Sequence, residues 1–217
     1  MLDEDEAVRQ QLALAGRVRI PDGPVEPPRT IAGLDVSYAV GSDRLVAAAV
    51  VVDATGGVVL DEVVLPGAAT VAYRPGLLAF REVPPLLAAL NRLQVQPDLL
   101  LADGHGVAHP RRCGLACHLG VETGLPAVGC AKSHFVGTYD EPGCRRGDRA
   151  PLRDAGERVG TVLRTRDRVR PLYVSAGHRI GHDQAADIVL AACSAYRLPD
   201  PIRRADHLSR RALLRMP

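Results

Sequence analysis

The run Leu99-Leu100-Leu101-Ala102, closed by Asp103-Gly104-His105-Gly106, constrains the fold of this chain more than any other segment. Consecutive apolar residues ended by turn-forming glycines fit a strand buried on both faces, inside a sheet that helices cover on either side. Open sheets bind ligands just past the ends of such strands, so Asp103 stands where a carboxylate can work. The glycines let the backbone turn sharply and approach a ligand closely. Asp35 has a similar setting in Thr30-Ile31-Ala32-Gly33-Leu34-Asp35-Val36-Ser37-Tyr38. Taken singly, each aspartate reads equally well as a turn cap. Two carboxylates beside a core are costly unless something positive meets them, and a divalent cation is the usual partner.

The order of the elements sets the architecture. Residues 4–15 carry an amphipathic helical pattern, and a proline-rich connector runs from Pro21 to Pro28. Strand-like runs follow near 30–39, 45–54 and 58–65, separated by the turn signals Gly41-Ser42-Asp43 and Thr55-Gly56-Gly57, which predicts an antiparallel meander. A helix is predicted from about Gly76 to Leu93, where Pro84-Pro85 must kink it or mark its real start. The strand at 99–102, a helix near 112–123 and the strand Pro126–Ala131 compose a βαβ unit. Residues 140–157 read as an exposed polar loop, 158–165 and 171–176 as a second hairpin, and 182–195 and 203–214 as closing helices. Neither repeats nor a linker divide the chain, so a single domain over residues 1–217 is expected. Strands first as a meander, then alternating with helices, describe an α/β fold: a mixed sheet flanked by helices in the ribonuclease H-like order. That order gathers carboxylates from the first strand, the following helix and the fourth strand on one edge.

Bulk properties agree with this and exclude little. A chain of 217 residues, 47% hydrophobic and 24% charged, can bury one sizeable core. A net charge of +2 neither demands nor excludes nucleic acid, because a local basic groove does not show in the total. No apolar segment is long enough for a bilayer, and Met1-Leu2-Asp3-Glu4-Asp5-Glu6 is acidic where a signal peptide is basic, so a cytoplasmic protein without membrane contact is expected. The 5 cysteines show no CxxC spacing and support neither a zinc knuckle nor a disulfide framework. Cys113 and Cys117, on the expected helix, read as small buried hydrophobes. Of 27 Lys and Arg residues, only Lys132 is a lysine. Either it survived by chance, or it sits where a compact ammonium is needed and a planar guanidinium does not fit. Its place after Pro126–Ala131, another strand end, favours the second reading.

Further segments complete a candidate site. Tyr73-Arg74-Pro75-Gly76-Leu77-Leu78-Ala79-Phe80-Arg81-Glu82 joins a glycine turn to an Arg-Glu pair at a helix start. His105, His109 and Arg111 lie in Asp103-Gly104-His105-Gly106-Val107-Ala108-His109-Pro110-Arg111, and Asp206 follows Pro199-Asp200-Pro201-Ile202-Arg203-Arg204-Ala205. Individually, Glu82 fits a solvated helix residue, His109 a capping side chain and Asp206 a surface charge. Together with Gly129-Cys130-Ala131-Lys132-Ser133, these blocks resemble the endonuclease V family, inosine-directed nucleases of ribonuclease H-like fold, from about residue 5 to residue 211.

The resemblance implies a Mg²⁺-dependent endonuclease, with Mn²⁺ as a substitute ion, acting in DNA repair. Such an enzyme nicks DNA at the second phosphodiester 3′ to deoxyinosine and leaves 3′-hydroxyl and 5′-phosphate ends. Inosine-containing RNA is left open as a substrate, and a monomer is expected. The residues that match the family's catalytic positions are Asp35, Glu82, Asp103 and Lys132, with Asp35, Asp103, Glu82 and Asp206 as metal ligands. Tyr73 matches a strand-parting wedge. Gly76, Leu78, Gly104 and Leu115 match a pocket for the flipped base, and Arg81 and His109 complete the substrate-binding set. The glycines at 76, 104 and 106 are expected to bring main-chain groups to the base edge. The wedge Ala72-Tyr73-Arg74-Pro75 lacks a proline the family often carries, and its Arg74 is expected to touch phosphate. The arginines of 140–157 bear on duplex affinity. The competing readings are another ribonuclease H-like nuclease, specific for junctions or hybrids, and a non-catalytic nucleic-acid-binding relative. The glycine segments argue against the first, and the full set of carboxylates with Lys132 against the second.

Overall fold

A computed structural model describes residues 3–216. Helix α1 (Glu4–Ala15) is capped by the Asp3 carboxylate, which accepts from the Glu4 N–H. The meander follows as β1 (Thr30–Tyr38), β2 (Arg44–Asp53) and β3 (Val59–Ala68). Helix α2 (Leu78–Leu90), strand β4 (Leu99–Ala102), helix α3 (Leu115–Thr123) and strand β5 (Ala127–Ala131) come next, β4 lying parallel between β1 and β5. Strands β6 (Arg149–Asp154), β7 (Glu157–Leu163) and β8 (Leu172–His178) add antiparallel pairings, and α4 (His182–Ala191) and α5 (Asp200–Leu213) end the chain. The result is one 8-stranded mixed sheet in the order β3-β2-β1-β4-β5-β8-β7-β6. Among the described residues, no helix is long and apolar enough to cross a membrane.

Strand alternation divides the core between the two faces of the sheet. Leu99 and Leu101 of β4 pack with Ala185 and Val189 of α4 and Ile202 and Ala205 of α5. Leu100 and Ala102 pack on the other face with Val83 and Leu86 of α2 and Leu115 and Leu119 of α3. Strand β4 is therefore covered on both sides, as its unbroken apolar run requires. Gly33 sets the closeness of α5 to β1: a Cβ there would lie 2.1 Å from the Pro201 carbonyl carbon. The absence of that atom lets α5 settle across β1 and bring Asp206 and Ser209 toward Asp35.

Two expectations need correction. Helix α2 starts at Leu78, so Pro84 and Pro85 lie inside it and do not mark its start. The prolines withdraw the N–H groups that would reach the Phe80 and Arg81 carbonyls, at about 3 kcal/mol each. Burial of Val83, Leu86 and Leu90 offsets this at roughly 1.5–3 kcal/mol per side chain. The segment 140–157 is not all loop, because β6 occupies Arg149–Asp154 at the sheet edge. Its inward Ala150 and Leu152 alternate with exposed Arg149, Pro151 and Arg153. The charges hide the period, and an edge strand tolerates the proline.

Candidate active site

Register carries the carboxylates to one edge of the sheet. Leu34 pairs with Ala102, so Asp35 and Asp103 lie side by side, and β5 delivers Lys132 next to them. Glu82, one turn into α2, comes over one face and Asp206 of α5 over the other. Asp35, Glu82, Asp103, Lys132 and Asp206 line a single cleft of ≈ 530 Å³. Each carboxylate has its own protein partner. Lys132 Nζ donates to Asp103, and Arg210 Nε donates to Asp206 at 2.7 Å. Ser209 Oγ donates to Asp35 at 2.7 Å, and Tyr38 Oη donates to Glu82 at 3.3 Å.

Four carboxylates against the Lys132 ammonium and the Arg210 guanidinium still leave the cleft with an excess of negative charge. Burial, with help from Asp103 and Asp206, pushes Asp35 up to about 6 against the pull of Ser209 and Lys132. Burial, then the proximity of Asp35, pushes Glu82 up to about 8. Burial disfavours the charge on Lys132, but its hydrogen bond to Asp103 and the surrounding carboxylates outweigh that and raise its pKa. An all-oxygen, carboxylate-rich donor set of this kind suits a hard cation such as Mg²⁺ or Mn²⁺. Among the described residues no three of these side chains converge as a finished cage.

A second cavity of ≈ 310 Å³ adjoins the first and shares Asp103, Lys132 and Leu115 with it. Gly76, Leu78, Gly104 and Leu115, the residues that the resemblance assigns to a base pocket, all line it, and Tyr73 and His109 line it with them. Gly76 turns at φ +79°, a conformation that suits glycine. Its carbonyl accepts from Gln11 Nε2 at 3.1 Å, His109 Nε2 at 3.1 Å and Arg111 Nη2 at 2.8 Å. The Arg111 N–H donates to His109 Nδ1, so the ring is neutral with its proton on Nε2. Burial and the neighbouring Arg111 agree, lowering His109 to about 4. Gln11, only 1% exposed, also donates to the Cys113 carbonyl at 2.6 Å and accepts from Arg111 Nε. One amide of α1 thus ties together the turns that enter α2 and α3.

Several residues fall differently from expectation. Arg81 lines neither cavity; it donates to the Val71 carbonyl at 2.9 Å and lies 4.5 Å from the Tyr38 ring centroid, steadying the tyrosine that meets Glu82. Arg74 pairs with Glu4 of α1 rather than standing free for phosphate. Gly106 approaches protein, not ligand: a Cβ would lie 2.1 Å from the Ala176 carbonyl oxygen, and its N–H donates to Ser175. Cys113 precedes α3 instead of lying on it, though both cysteines are buried. Phe135, 41% exposed, lines the second cavity within 5.4 Å of the His105 and His109 rings. Sequence reading missed it, although it stands three residues past Lys132. Ser209 and Gln11 were missed as well, and neither carries a local signal.

A family model of endonuclease V matches residues 12–207. Endonuclease V of Streptomyces avermitilis is 50% identical over 212 residues, covering 97% of this chain and 92% of that protein. The crystal structure of endonuclease V from the same organism superposes with a TM-score of 0.93 at 49% identity, covering 99% of this chain and 94% of the other. Endonuclease V of Ciona intestinalis, in complex with a 24mer DNA containing an inosine followed by a ribo-adenosine, superposes with a TM-score of 0.84 at 26% identity, covering 98% and 99%.

Proposed function

Because the chain belongs to the endonuclease V family, whose members are nucleases acting on phosphodiester bonds, we propose that it is a Mg²⁺-dependent enzyme that nicks DNA 3′ to deoxyinosine, at the second phosphodiester, in the repair of deaminated adenine. The observation that carries this reading is the sharing of Asp103, Lys132 and Leu115 between a carboxylate cleft and a neutral pocket. A flipped base and a nearby phosphate can then be held at once. The Ciona relative bound to inosine-containing DNA supports the same substrate.

Asp35, Glu82, Asp103 and Asp206 are the residues that would hold Mg²⁺, with Mn²⁺ able to replace it. When bound, the ion supplies Lewis-acid stabilisation of charge on the phosphate oxygens. Lys132 places a compact positive charge against the same phosphate and holds Asp103 in line. Tyr73, 62% exposed, stands at the pocket mouth as the wedge, and Phe135 offers the base a second aromatic wall. Helix α2 begins without a side-chain cap, which leaves main-chain N–H groups of its first turn as candidate donors, and Leu78 and Ala79 of that turn line the pocket. Such donors suit the oxygen at position 6 of hypoxanthine and meet the amino group of adenine as donor against donor. The Gly76 carbonyl, already taken by three donors, shapes the pocket instead of reading the base.

Nicking assays on matched oligonucleotides test this. A deoxyinosine strand should be cut once, at a fixed step 3′ of the base. The adenine counterpart should be nearly inert, since an unpaired buried donor costs roughly 1–3 kcal/mol. Guanine keeps the oxygen at position 6 and should leave more residual cutting than adenine. An inosine-containing RNA arm decides whether ribose is accepted. Cleavage that ignores the base, or that follows four-way junctions or RNA–DNA hybrids, would overturn the substrate assignment.

A further inference from the structure

The catalytic edge of the sheet continues past Lys132 into a group of arginines that the chemistry above does not use. Tyr173 at the start of β8 pairs with Ala131, Leu172 with Leu163 of β7, and Leu163 with Arg149 of β6. The β7–β8 loop and the loop entering β6 therefore emerge on the same edge as Lys132. They are joined to each other: the Arg168 N–H donates to the Cys144 carbonyl at 2.8 Å, and the Gly147 N–H to the Arg164 carbonyl at 2.8 Å. Arg164, 8% exposed, fastens both from beneath through the carbonyls of Gly143, Pro142 and Val169 and the Glu141 carboxylate. Arg197 links this body to the active site by donating to the carbonyls of Lys132 at 2.9 Å and Pro171 at 2.8 Å.

On this framework Arg145, Arg168 and Arg170 are exposed. Among the described residues, none of the three guanidinium groups pairs with a carboxylate, although the Arg145 backbone N–H donates to Asp148 at 2.8 Å. Other arginines of the region are occupied: Arg146 with main-chain carbonyls, Arg149 with Asp187 and Arg158 with Asp183. Arg168 moreover holds φ at +59°, a backbone state that glycine or asparagine adopts at less cost. Like charges on a stapled surface repel one another until an anion meets them. The neighbouring cleft, rich in carboxylates, itself repels an approaching polyanion.

We propose that Arg145, Arg168 and Arg170 form a ledge that grips the phosphate backbone of the nucleic-acid strand beside the scissile bond. The proposal rests on the reading of the chain as a nuclease and adds where the flanking strand lies. Strand β7 is two positions beyond β5, which puts the ledge about 10 Å from Lys132 at the usual strand spacing. That distance corresponds to roughly three nucleotides of duplex rise. The contacts are to phosphate, so the ledge carries no base preference.

The test is the salt dependence of duplex binding by the full chain and by the triple variant Arg145→Gln, Arg168→Gln, Arg170→Gln, in Ca²⁺ to suppress cutting. Each lost phosphate contact lowers the slope of log affinity against log salt by about 0.9, so the slope should flatten by about 2–3. The flattening should be equal on deoxyinosine and undamaged duplexes. It should vanish on a short oligonucleotide that ends at the scissile phosphate. Replacing the same residues by lysine should restore the slope. An unchanged slope on long duplexes overturns the ledge and leaves the surface to an acidic protein. If the native chain shows no preference for deoxyinosine while the slope difference persists, the pocket assignment falls and the ledge stands.

Discussion

The two cavities that share Asp103 are built on opposite electrostatic principles. In the cleft, four carboxylates outnumber the Lys132 ammonium and the Arg210 guanidinium, and burial raises Asp35 to about 6 and Glu82 to about 8. In the pocket, the polar groups of the wall are largely matched: three donors converge on the Gly76 carbonyl, and His109 is neutral. A wall whose framework is already hydrogen-bonded, with only a few polar groups such as His105 Nδ1 left open, suits a neutral, planar ligand that is selected by shape and hydrogen bonds. A surface left unbalanced suits a cation that restores the balance when it arrives. The comparison can be broken by substitution, because changes in the cleft should cost turnover while relieving the fold, and changes in the pocket support should cost stability and substrate affinity while sparing turnover.

The largest effect is expected at Asp35. Asp35→Asn keeps the shape and the hydrogen bond from Ser209 but removes a ligand oxygen's charge. Nicking in Mg²⁺ should fall by about 10⁴-fold or more, the equivalent of several kcal/mol of transition-state stabilisation. The metal-free protein should melt higher at about pH 8, because a buried charge among like charges is gone, a gain on the order of 2–3 kcal/mol from its raised pKa. Single-turnover cutting and thermal melting on one preparation check both halves. A variant that loses activity and also melts lower would remove the idea that the cleft is strained.

Next in size is the pH dependence of the metal-free fold. Glu82 and Asp35 bind protons more tightly folded than unfolded, with raised values of about 8 and about 6. Both are protonated at no cost below about pH 4. As pH rises, the unfolded chain releases its protons first, so stability declines and the penalty is complete above about pH 8. The total decline should be a few kcal/mol. Melting temperatures between about pH 5 and 9 should fall in chelator and stay nearly level in saturating Mg²⁺, since ligation favours the ionised carboxylates. Parallel curves with and without the ion would show that the carboxylates do not meet it.

The difference between the cavities also governs what could be read in advance. Asp103 and Lys132 were legible because strand ends announce themselves: an apolar run stops, and a charge follows; Asp35 lies inside β1 and showed itself only as a charge set in a largely apolar segment. Glu82 and Asp206 were legible only through resemblance, since a carboxylate on a helix looks the same whether it faces solvent or a cleft. The long-range wiring of both cavities left no local trace. Gln11 meets Cys113 across 102 positions and Ser209 meets Asp35 across 174, and no window of sequence contains such a pair. The partners that Arg74 and Arg81 have in the free chain were equally hidden: an arginine's residue type declares its charge but not its partner, here Glu4 of α1 and the Tyr38 ring. Strand β6 was hidden by charges and Pro151, which an edge position permits.

The smallest of these effects, and the one that sharpens the comparison most, is expected at Gln11. Gln11→Leu fills much the same space but strips two donations and one acceptance from a fully enclosed amide. The Gly76 carbonyl keeps its contacts with His109 and Arg111, whereas the Cys113 carbonyl and Arg111 Nε lose a partner. Unpaired buried groups cost roughly 1–3 kcal/mol each, so a destabilisation of about 2–4 kcal/mol is expected, at 2–4 °C of melting temperature per kcal/mol for a chain of about this length. A purely structural role would end there. If Gln11 holds the pocket in shape, the variant should also show a raised KM for a deoxyinosine duplex with little change in kcat. Its preference for hypoxanthine over guanine should narrow, because a looser wall admits the extra amino group at position 2. The carboxylate cleft, which Gln11 does not touch, should keep its response to Mg²⁺. A variant that loses stability but keeps both KM and base preference would mean that the pocket is held by Arg111 and His109 alone, and that α1 only covers it.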